Sequence, residues 1–290
     1  MPDTRPRLRI VHVSDIHFWR YAWNPLRLLG KRAVGMASLL RGRAARFRLE
    51  RIEDVVDRVL SLEPDHILIT GDLTTTALPA EFRAARKALG PWLRDRGRVT
   101  VLPGNHDRYT VGAHRNRRFE EYFGEFMPKP TFPWLRHLDG RTAILGLDPT
   151  RAAVSARGLL PAHQFAKARE LVQGMEPAKR RLIVACHYPL HAPEAHRREL
   201  SGKRMINAGE VSAWLAGVGP HVYCCGHVHA AWSFRPEAIP GQLCLNAGAP
   251  LLRDHSGHRP PGFLEITLEG ERITVDHHAW RSGGWIVAKL

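Results

Sequence analysis

Five short segments carry residue types that bind metals and move protons: Asp15-Ile16-His17, Gly71-Asp72, Gly104-Asn105-His106-Asp107, His187, and Gly226-His227-Val228-His229. Carboxylate oxygens, imidazole nitrogens and one amide oxygen form a mixed donor set, which suits manganese, iron or zinc better than calcium or magnesium alone. Two ions about 3.5–4 Å apart can share a hydroxide and clamp the oxygens of a phosphoryl group, which is what cleavage at an electron-rich phosphorus requires. Asp15 and His17 alternate just past an apolar run, and His227 and His229 repeat that spacing, so each pair can leave the backbone on one side. Asp72 follows a glycine that allows a tight turn, and it suits a carboxylate shared by both ions. The candidate metal ligands are therefore Asp15, His17, Asp72, Asn105, His187, His227 and His229. The chain has 17 histidines, and His12, His66, His137 and His221 read as packing or surface residues. His191, four residues after His187, is a candidate for lining the substrate pocket.

These residues must be positioned by something, and each segment follows a short apolar run that reads as a buried strand. Ligands at the carboxyl ends of neighbouring strands converge on one sheet edge, where open α/β folds place their sites. The periodicity predicts strands over 8–13, 66–70, 98–102, 142–147, 181–186 and 221–225, and helices over 49–62, 79–90, 115–124 and 162–174. The helix over 49–62 carries Leu49, Ile52, Val55, Val56, Val59 and Leu60 on one face and is stopped by Pro64. After 230 the pattern turns to strands alone, over 231–235, 242–246, 262–268 and 271–279, as expected of a second sheet. With no repeat and no linker, residues 1–290 read as a single domain.

Within that domain, residues 18–48 form a basic insert. Eight basic residues and no acidic one lie between Arg20 and Arg48, in a chain of net charge +15. Leu26, Leu29, Ala33, Met36, Ala37 and Leu40 recur at helical spacing, flanked by Arg27, Lys31, Arg41 and Arg43 and preceded by Trp19, Tyr21 and Trp23. A cationic amphipathic helix with aromatic anchors is the pattern of an interfacial element, so an anionic membrane surface is one candidate partner for residues 20–48. The alternatives are a helix docked by its apolar face with solvated arginines, a lid over the active-site mouth, and a charged patch that steers a phosphorylated substrate.

The five blocks resemble the calcineurin-like metallophosphoesterase superfamily, whose pattern is D-x-H, G-D, G-N-H-D/E, H and G-H-x-H, and the resemblance spans residues 8 to about 250. Gly71-Asp72-Leu73-Thr74 and Gly104-Asn105-His106-Asp107 bring it nearest to the bacterial cyclic-nucleotide phosphodiesterase-like branch. The resemblance implies an α/β fold, a four-layer sandwich of two mixed β-sheets flanked by α-helices. It implies one metal on Asp15, His17, Asp72 and His229 and a second on Asp72, Asn105, His187 and His227. It also implies that His106 binds no metal but sits near the leaving-group oxygen, as general acid or transition-state stabiliser, with Asp107 orienting its ring. A positioned proton donor is typically worth about 10²–10⁴ in rate when an alkoxide leaves.

The function expected is a dinuclear-metal hydrolase of a phosphodiester, phosphomonoester or pyrophosphate bond, acting on a nucleotide or lipid-linked phosphorylated substrate. A lipid A pyrophosphatase branch of the superfamily often has arginine where His106 stands, which weighs against that assignment. One alternative is a nuclease of the same superfamily, disfavoured because the charge is concentrated in an apolar-rich insert. Another is a peripheral membrane or protein-binding module that retains its metals for structure. The composition, 44% hydrophobic and 24% charged, is that of a globular chain. Cys186, Cys224, Cys225 and Cys244 form no C-x-x-C pair and read as buried, reduced core. The absence of an 18-residue apolar run and of a leader before the first strand predicts a cytoplasmic protein, with attachment to the inner membrane face as an option through the insert.

Overall fold

Strands buried on both faces read as continuous apolar runs, and their alternate side chains must enter different cores. Along Arg181–Cys186, Ile183 and Ala185 join one hydrophobic cluster, while Leu182, Val184 and Cys186 join another. This splitting makes four layers. The computed structural model describes residues 7–22, 31–153, 155–176, 181–254 and 257–290. Its strands are β1 (Leu8–Val13), β2 (His66–Ile69), β3 (Val99–Val101), β4 (Trp134–His137), β5 (Thr142–Leu147), β6 (Arg181–Cys186), β7 (His221–Cys225), β8 (Ala231–Phe234), β9 (Gln242–Ala247), β10 (Gly262–Glu269), β11 (Arg272–Arg281) and β12 (Gly284–Lys289). Its α-helices are α1 (Lys31–Ser38), α2 (Ile52–Ser61), α3 (Pro79–Ala88), α4 (Val111–Arg115), α5 (Arg118–Phe123), α6 (Ala162–Gln173), α7 (Glu194–Ser201) and α8 (Ala208–Ala216).

One sheet has the order β12-β11-β10-β1-β2-β3, and the other β4-β5-β6-β7-β9-β8. Strands β1, β2 and β3 are parallel, as are β5, β6, β7 and β9, while the remaining pairings are antiparallel. Between the sheets lie Ile10, Leu264 and Ile266 with Ile144, Ile183, Val222 and Leu245. Helices α2 and α3 bury Val55, Val56, Val59, Phe82 and Ala85 in that same cluster. Helices α6, α7 and α8 bury Ala168, Val172, Leu200, Val211 and Leu215 on the outer side of the second sheet. The four-layer α/β sandwich expected from the sequence is the observed fold. All four cysteines are free and buried, and no helix among the described residues is long and apolar enough to cross a membrane.

The departures are local. Instead of one helix over 115–124, α4 and α5 are separated at Arg117, whose φ is 48°. Strand β12 went unrecognised because it is short and mostly exposed. It follows a Ser282-Gly283 turn in which both residues have positive φ, the geometry of a two-residue hairpin. Helix α7 has no apolar stripe to announce it.

The insert differs in which face it buries. Leu26 and Leu29 of the predicted stripe lie outside the described residues. Of the rest, Ala33 and Leu40 are exposed, Ala37 is half-buried and Met36 is buried, while Gly35 and Leu39, outside the stripe, are buried. Met36, Leu39 and Ala44 pack with Leu78, and the backbone of Gly35 lies against Thr76 and Tyr109. Lys31, expected to flank the stripe, and its neighbour Arg32 turn inward. Lys31 Nζ donates to the Ala153 carbonyl at 2.6 Å and sits 4.3 Å from the Tyr109 ring, and Arg32 donates to the Thr76 carbonyl and Thr110 Oγ1. The insert is thus docked, and its docking partners are the loops after β2 and β3.

Candidate metal centre

The carboxyl ends of β1, β2 and β3 in one sheet meet those of β6 and β7 in the other, and the sequence motifs occupy those ends. The Asp15 and His17 amides donate to the Gly71 and Asp72 carbonyls at 3.0 and 2.9 Å, extending the β1–β2 pairing into the turn. Ile16 and Val228, between the paired ligands, are fully buried and anchor each turn in a core. Asp15, His17, Asp72, His227 and His229 have φ of 56°, 57°, 53°, 73° and 59°. This left-handed conformation costs an L-residue roughly 1–2 kcal/mol. Strain of this kind persists where the surroundings over-determine it, and it clusters at functional sites. No sequence pattern announces it, since none of these residues is glycine.

Two neighbouring glycines explain how the loops come so close. A Cβ at Gly104 would stand 2.1 Å from Asp72 Oδ1, and one at Gly226 would stand 1.9 Å from Ser14 Oγ and 2.4 Å from Asp15 Oδ2. Each carboxylate thereby uses one oxygen as a backbone acceptor. Asp15 Oδ2 takes the His227 amide at 2.9 Å, and Asp72 Oδ1 takes the His106 amide at 2.7 Å. The other oxygens face histidine nitrogens: Asp15 Oδ1 is 3.2 Å from His229 Nε2, and Asp72 Oδ2 is 3.7 Å from His17 Nε2 and 3.3 Å from His187 Nε2. Asn105 Oδ1 is 3.2 Å from His187 Nε2.

The donor atoms of Asp15, His17, Asp72 and His229 lie within 4.8 Å of one another, as do those of Asp72, His187 and His227. Asp72 belongs to both groups. The seven candidate ligands are thus brought together at one place, although they come from two sheets. Their spacing fits ions: ligands about 2.1 Å from one metal stand roughly 3.0–3.4 Å apart. The Nε2 atoms of His17 and His229 are 3.1 Å apart. Two lone pairs that close repel unless a proton or a cation lies between them. The His227 Nε2 is buried and has no hydrogen-bond partner among the described residues, as expected of an atom reserved for a metal. The protein's own second layer sets the His187 tautomer. Its Nδ1 must donate to the Thr70 carbonyl at 2.7 Å, since a carbonyl only accepts, and this turns Nε2 toward Asp72 and Asn105.

Electrostatics agree with this geometry. Burial pushes the Asp15 and Asp72 carboxyls up, but the surrounding histidines hold both below the usual carboxylate range. Burial lowers His17 and takes His227 down to about 3, leaving these imidazoles neutral and able to coordinate. His187 goes the other way: burial lowers it, yet the adjacent Asp72 carboxylate prevails and pushes it up to about 9. Metal ligation requires the neutral ring, so metal uptake near pH 7.5 is expected to release about one proton from His187 and to weaken as pH falls below about 9. Calorimetric titration with manganese in two buffers of different ionisation enthalpy checks this; identical heats in both buffers would refute it.

His106 lies beside the ligands, its ring centroid 5.0 Å from that of His17 and stacked 5.4 Å from Tyr109. The expected orienter is corrected here. His106 Nδ1 donates to the Thr75 carbonyl at 2.7 Å. Asp107 instead accepts from the amides of Leu73, Thr74 and Gly104 and from Thr74 Oγ1, at 2.9–3.2 Å. Its role in the fold is to clamp the Asp72 loop to the Asn105 loop, because the carboxylate faces a nest of backbone donors. Burial and the Asp72 charge push it up to about 6. Asp107→Asn is expected to weaken metal retention and to lower stability by about 1–3 kcal/mol, through the donors left unmatched. Full metal content with normal thermal stability would refute the clamp. His191 also departs from expectation. Its Nε2 pairs with Ser212 Oγ on α8 at 2.7 Å, and it lines a separate cavity with Arg197 and Arg204. Five residues beyond β6 the chain has already turned away from the metal edge.

The centre opens into a cavity of about 740 Å³ lined by Asp72, Asn105, His106, His227 and His229, with Val34, Ser38, Arg41 and Arg46 of the insert on one wall and Glu199, Lys203 and Arg259 on another. Phe47 places its ring centroid 4.5 Å from that of His17, so the insert touches a candidate ligand directly. The Thr70 and Thr75 carbonyls and Phe47 were missed in the sequence. The first two act through backbone, which leaves no side-chain signal.

A model of the family described as calcineurin-like phosphoesterase matches residues 8–231. Among solved structures, a purple acid phosphatase from yellow lupin seeds superposes with a TM-score of 0.67 at 13% identity, over 99% of this chain and 54% of that one. A dimetal phosphatase from Danio rerio superposes at 0.60 and 12% identity, over 97% and 98%. The GAP50 anchor of the Plasmodium inner membrane complex superposes at 0.58 and 12% identity, over 98% and 88%. The chain therefore spans about half the length of the lupin enzyme and nearly all of the zebrafish one. No curated protein matches it in sequence.

Proposed function

The chain belongs to the calcineurin-like phosphoesterases; from that premise, we propose that it is a metal-dependent phosphoesterase that hydrolyses a phosphodiester or pyrophosphate whose organic part carries a second anionic group. Asp15, His17, Asp72 and His229 would hold one ion, and Asp72, Asn105, His187 and His227 the other. When bound, such ions supply Lewis acidity toward phosphoryl oxygens and bring the pKa of water near neutrality. Asp72 would serve both sites, with Oδ2 the oxygen left for them because Oδ1 accepts the His106 amide. His106 delivers a proton from Nε2 to the departing oxygen, and the Thr75 carbonyl keeps the Nδ1 proton and the ring orientation.

The observation that carries the substrate class is the charge of the cavity wall. Lys203 and Arg259 are both paired with Glu199. Arg41 and Arg46 are exposed and have no side-chain partner among the described residues. Two uncompensated guanidiniums beside a phosphoryl site favour a second phosphate or carboxylate. Val34 and Leu40 on the same insert are 68% and 73% exposed, which favours an apolar tail on the substrate, as in a lipid-linked diphosphate, over a nucleotide.

The test begins with bis-p-nitrophenyl phosphate and added manganese, iron or zinc, followed by cyclic nucleotides, nucleotide sugars, lipid-linked pyrophosphates and single-stranded DNA. Arg41→Ser/Arg46→Ser is expected to raise KM about 10–100-fold on a doubly anionic substrate, while leaving the singly charged bis-p-nitrophenyl ester nearly unchanged. Equal losses on both would remove the arginines from recognition. Metal-loaded protein that cleaves nothing at any pH would instead support a binding module, the role suggested by the likeness to the Plasmodium anchor.

A further inference from the structure

Arg46-Phe47-Arg48 runs between two cavities. Arg46 lines the catalytic one, Phe47 turns inward against His17, and Arg48 lines a second cavity of about 350 Å³. The segment is held by two backbone bonds of 2.7 Å, from the Arg48 amide to the Leu251 carbonyl and from the Arg253 amide to the Arg46 carbonyl. Besides Arg48, the second cavity is lined by Arg51, Arg253, Arg281 and Trp280. Asp254 is the acidic residue in its described lining, and its Oδ2 accepts the Arg259 amide at 2.8 Å.

Arg51 is the built element of this cavity. It is 7% exposed, and its guanidinium carbon lies 4.1 Å from the Trp280 ring centroid and 6.0 Å from that of Trp285. Stacking on an indole face leaves the N–H donors of a guanidinium in its own plane, directed outward. Nε and Nη2 of Arg51, and Nε of Arg48, are buried without hydrogen-bond partners among the described residues. The contact from Arg51 Nε to Asp54 is long, at 3.9 Å, and Asp54 is half exposed. A buried cation with unmatched donors, among three further arginines, is unfavourable unless an anion is expected there.

We propose that this cavity is a second anion site, distinct from the metal centre, in which the Arg51 fork grips the oxygens of a phosphate group. Arg48, Arg253 and Arg281 close around the same group. The site does not depend on hydrolysis. It adjoins the catalytic cavity through the Arg46–Arg48 bridge, so an occupant would brace the segment that sets Phe47 against His17.

Calorimetric titration of orthophosphate into the metal-loaded protein is expected to show binding beyond the metal centre. Asp72→Asn, lacking that centre, should retain one orthophosphate, which separates this proposal from the hydrolase reading. Adding Arg51→Met, which keeps the packing on Trp280, should weaken that remaining binding about tenfold or more. Arg253→Ser/Arg281→Ser, at two exposed positions, should weaken it without disturbing the fold. A parallel titration with glycerol 3-phosphate identifies the source: equal affinity points to the free ion, and tighter binding of the ester points to an organic phosphate. Identical isotherms for Asp72→Asn with and without these arginine substitutions would overturn the site.

Discussion

Asp72→Asn is expected to strip both metals and lower turnover by about 10⁴-fold or more, a large part of the 10⁶-fold or greater acceleration typical of enzymes. The substitution keeps the size of the side chain and an oxygen for the His106 amide, now 2.7 Å from Oδ1. It replaces Oδ2 with an amide NH₂ pointed at the Nε2 atoms of His17 and His187, which lie 3.7 and 3.3 Å away. A donor cannot coordinate a cation, and among the described residues the two donor groups share only Asp72. The change also removes the main charge that holds the His187 proton, so that imidazole should titrate lower than the wild-type value of about 9. Metal analysis by plasma emission, alongside circular dichroism to confirm folding, reads the result. Two tightly held ions in folded Asp72→Asn protein would end the bridging assignment.

His106→Ala should do the opposite to the metals and leave them in place. The ring lines the cavity but belongs to neither donor group. Its loss is expected to slow cleavage of an alkyl phosphoester by about 10²–10⁴, the usual worth of a positioned proton donor, and to matter far less for a p-nitrophenyl ester, whose leaving group needs no proton. That split between leaving groups is the signature. A merely structural ring, stacked on Tyr109 and hydrogen-bonded to Thr75, would slow both esters alike. Equal rates for mutant and parent on the alkyl ester would take His106 out of the reaction altogether.

Much of the site was legible because its ligands sit in short motifs immediately after apolar strands. An apolar run long enough for a strand, ended by Gly-Asp or Gly-His, has few other solutions, and the strand order then delivers the motifs to one edge. The glycines were legible in kind but not in purpose: Gly104 and Gly226 are required by the approach of Asp72 and Asp15 from other segments. Asp107 was misread for the same reason. A carboxylate next to a histidine in sequence faces it in space only if the backbone allows, and here the turn aims it at three amides instead. His191 went astray because five residues past a strand are enough to change the face presented.

Residue types and their spacing already specified the chemistry on offer, namely seven donors of the right kinds in five blocks, and the α/β layering that follows from apolar runs buried on both faces. Tertiary structure alone decided which oxygen of each carboxylate stays available, because that depends on amides donated from distant loops. It also decided that the basic insert lies docked, with Lys31 and Arg32 turned inward and Arg41 and Arg46 over the mouth. Helical periodicity ranks faces by hydrophobicity, but a helix buries whichever face finds a complementary surface, and that surface belongs to the rest of the chain.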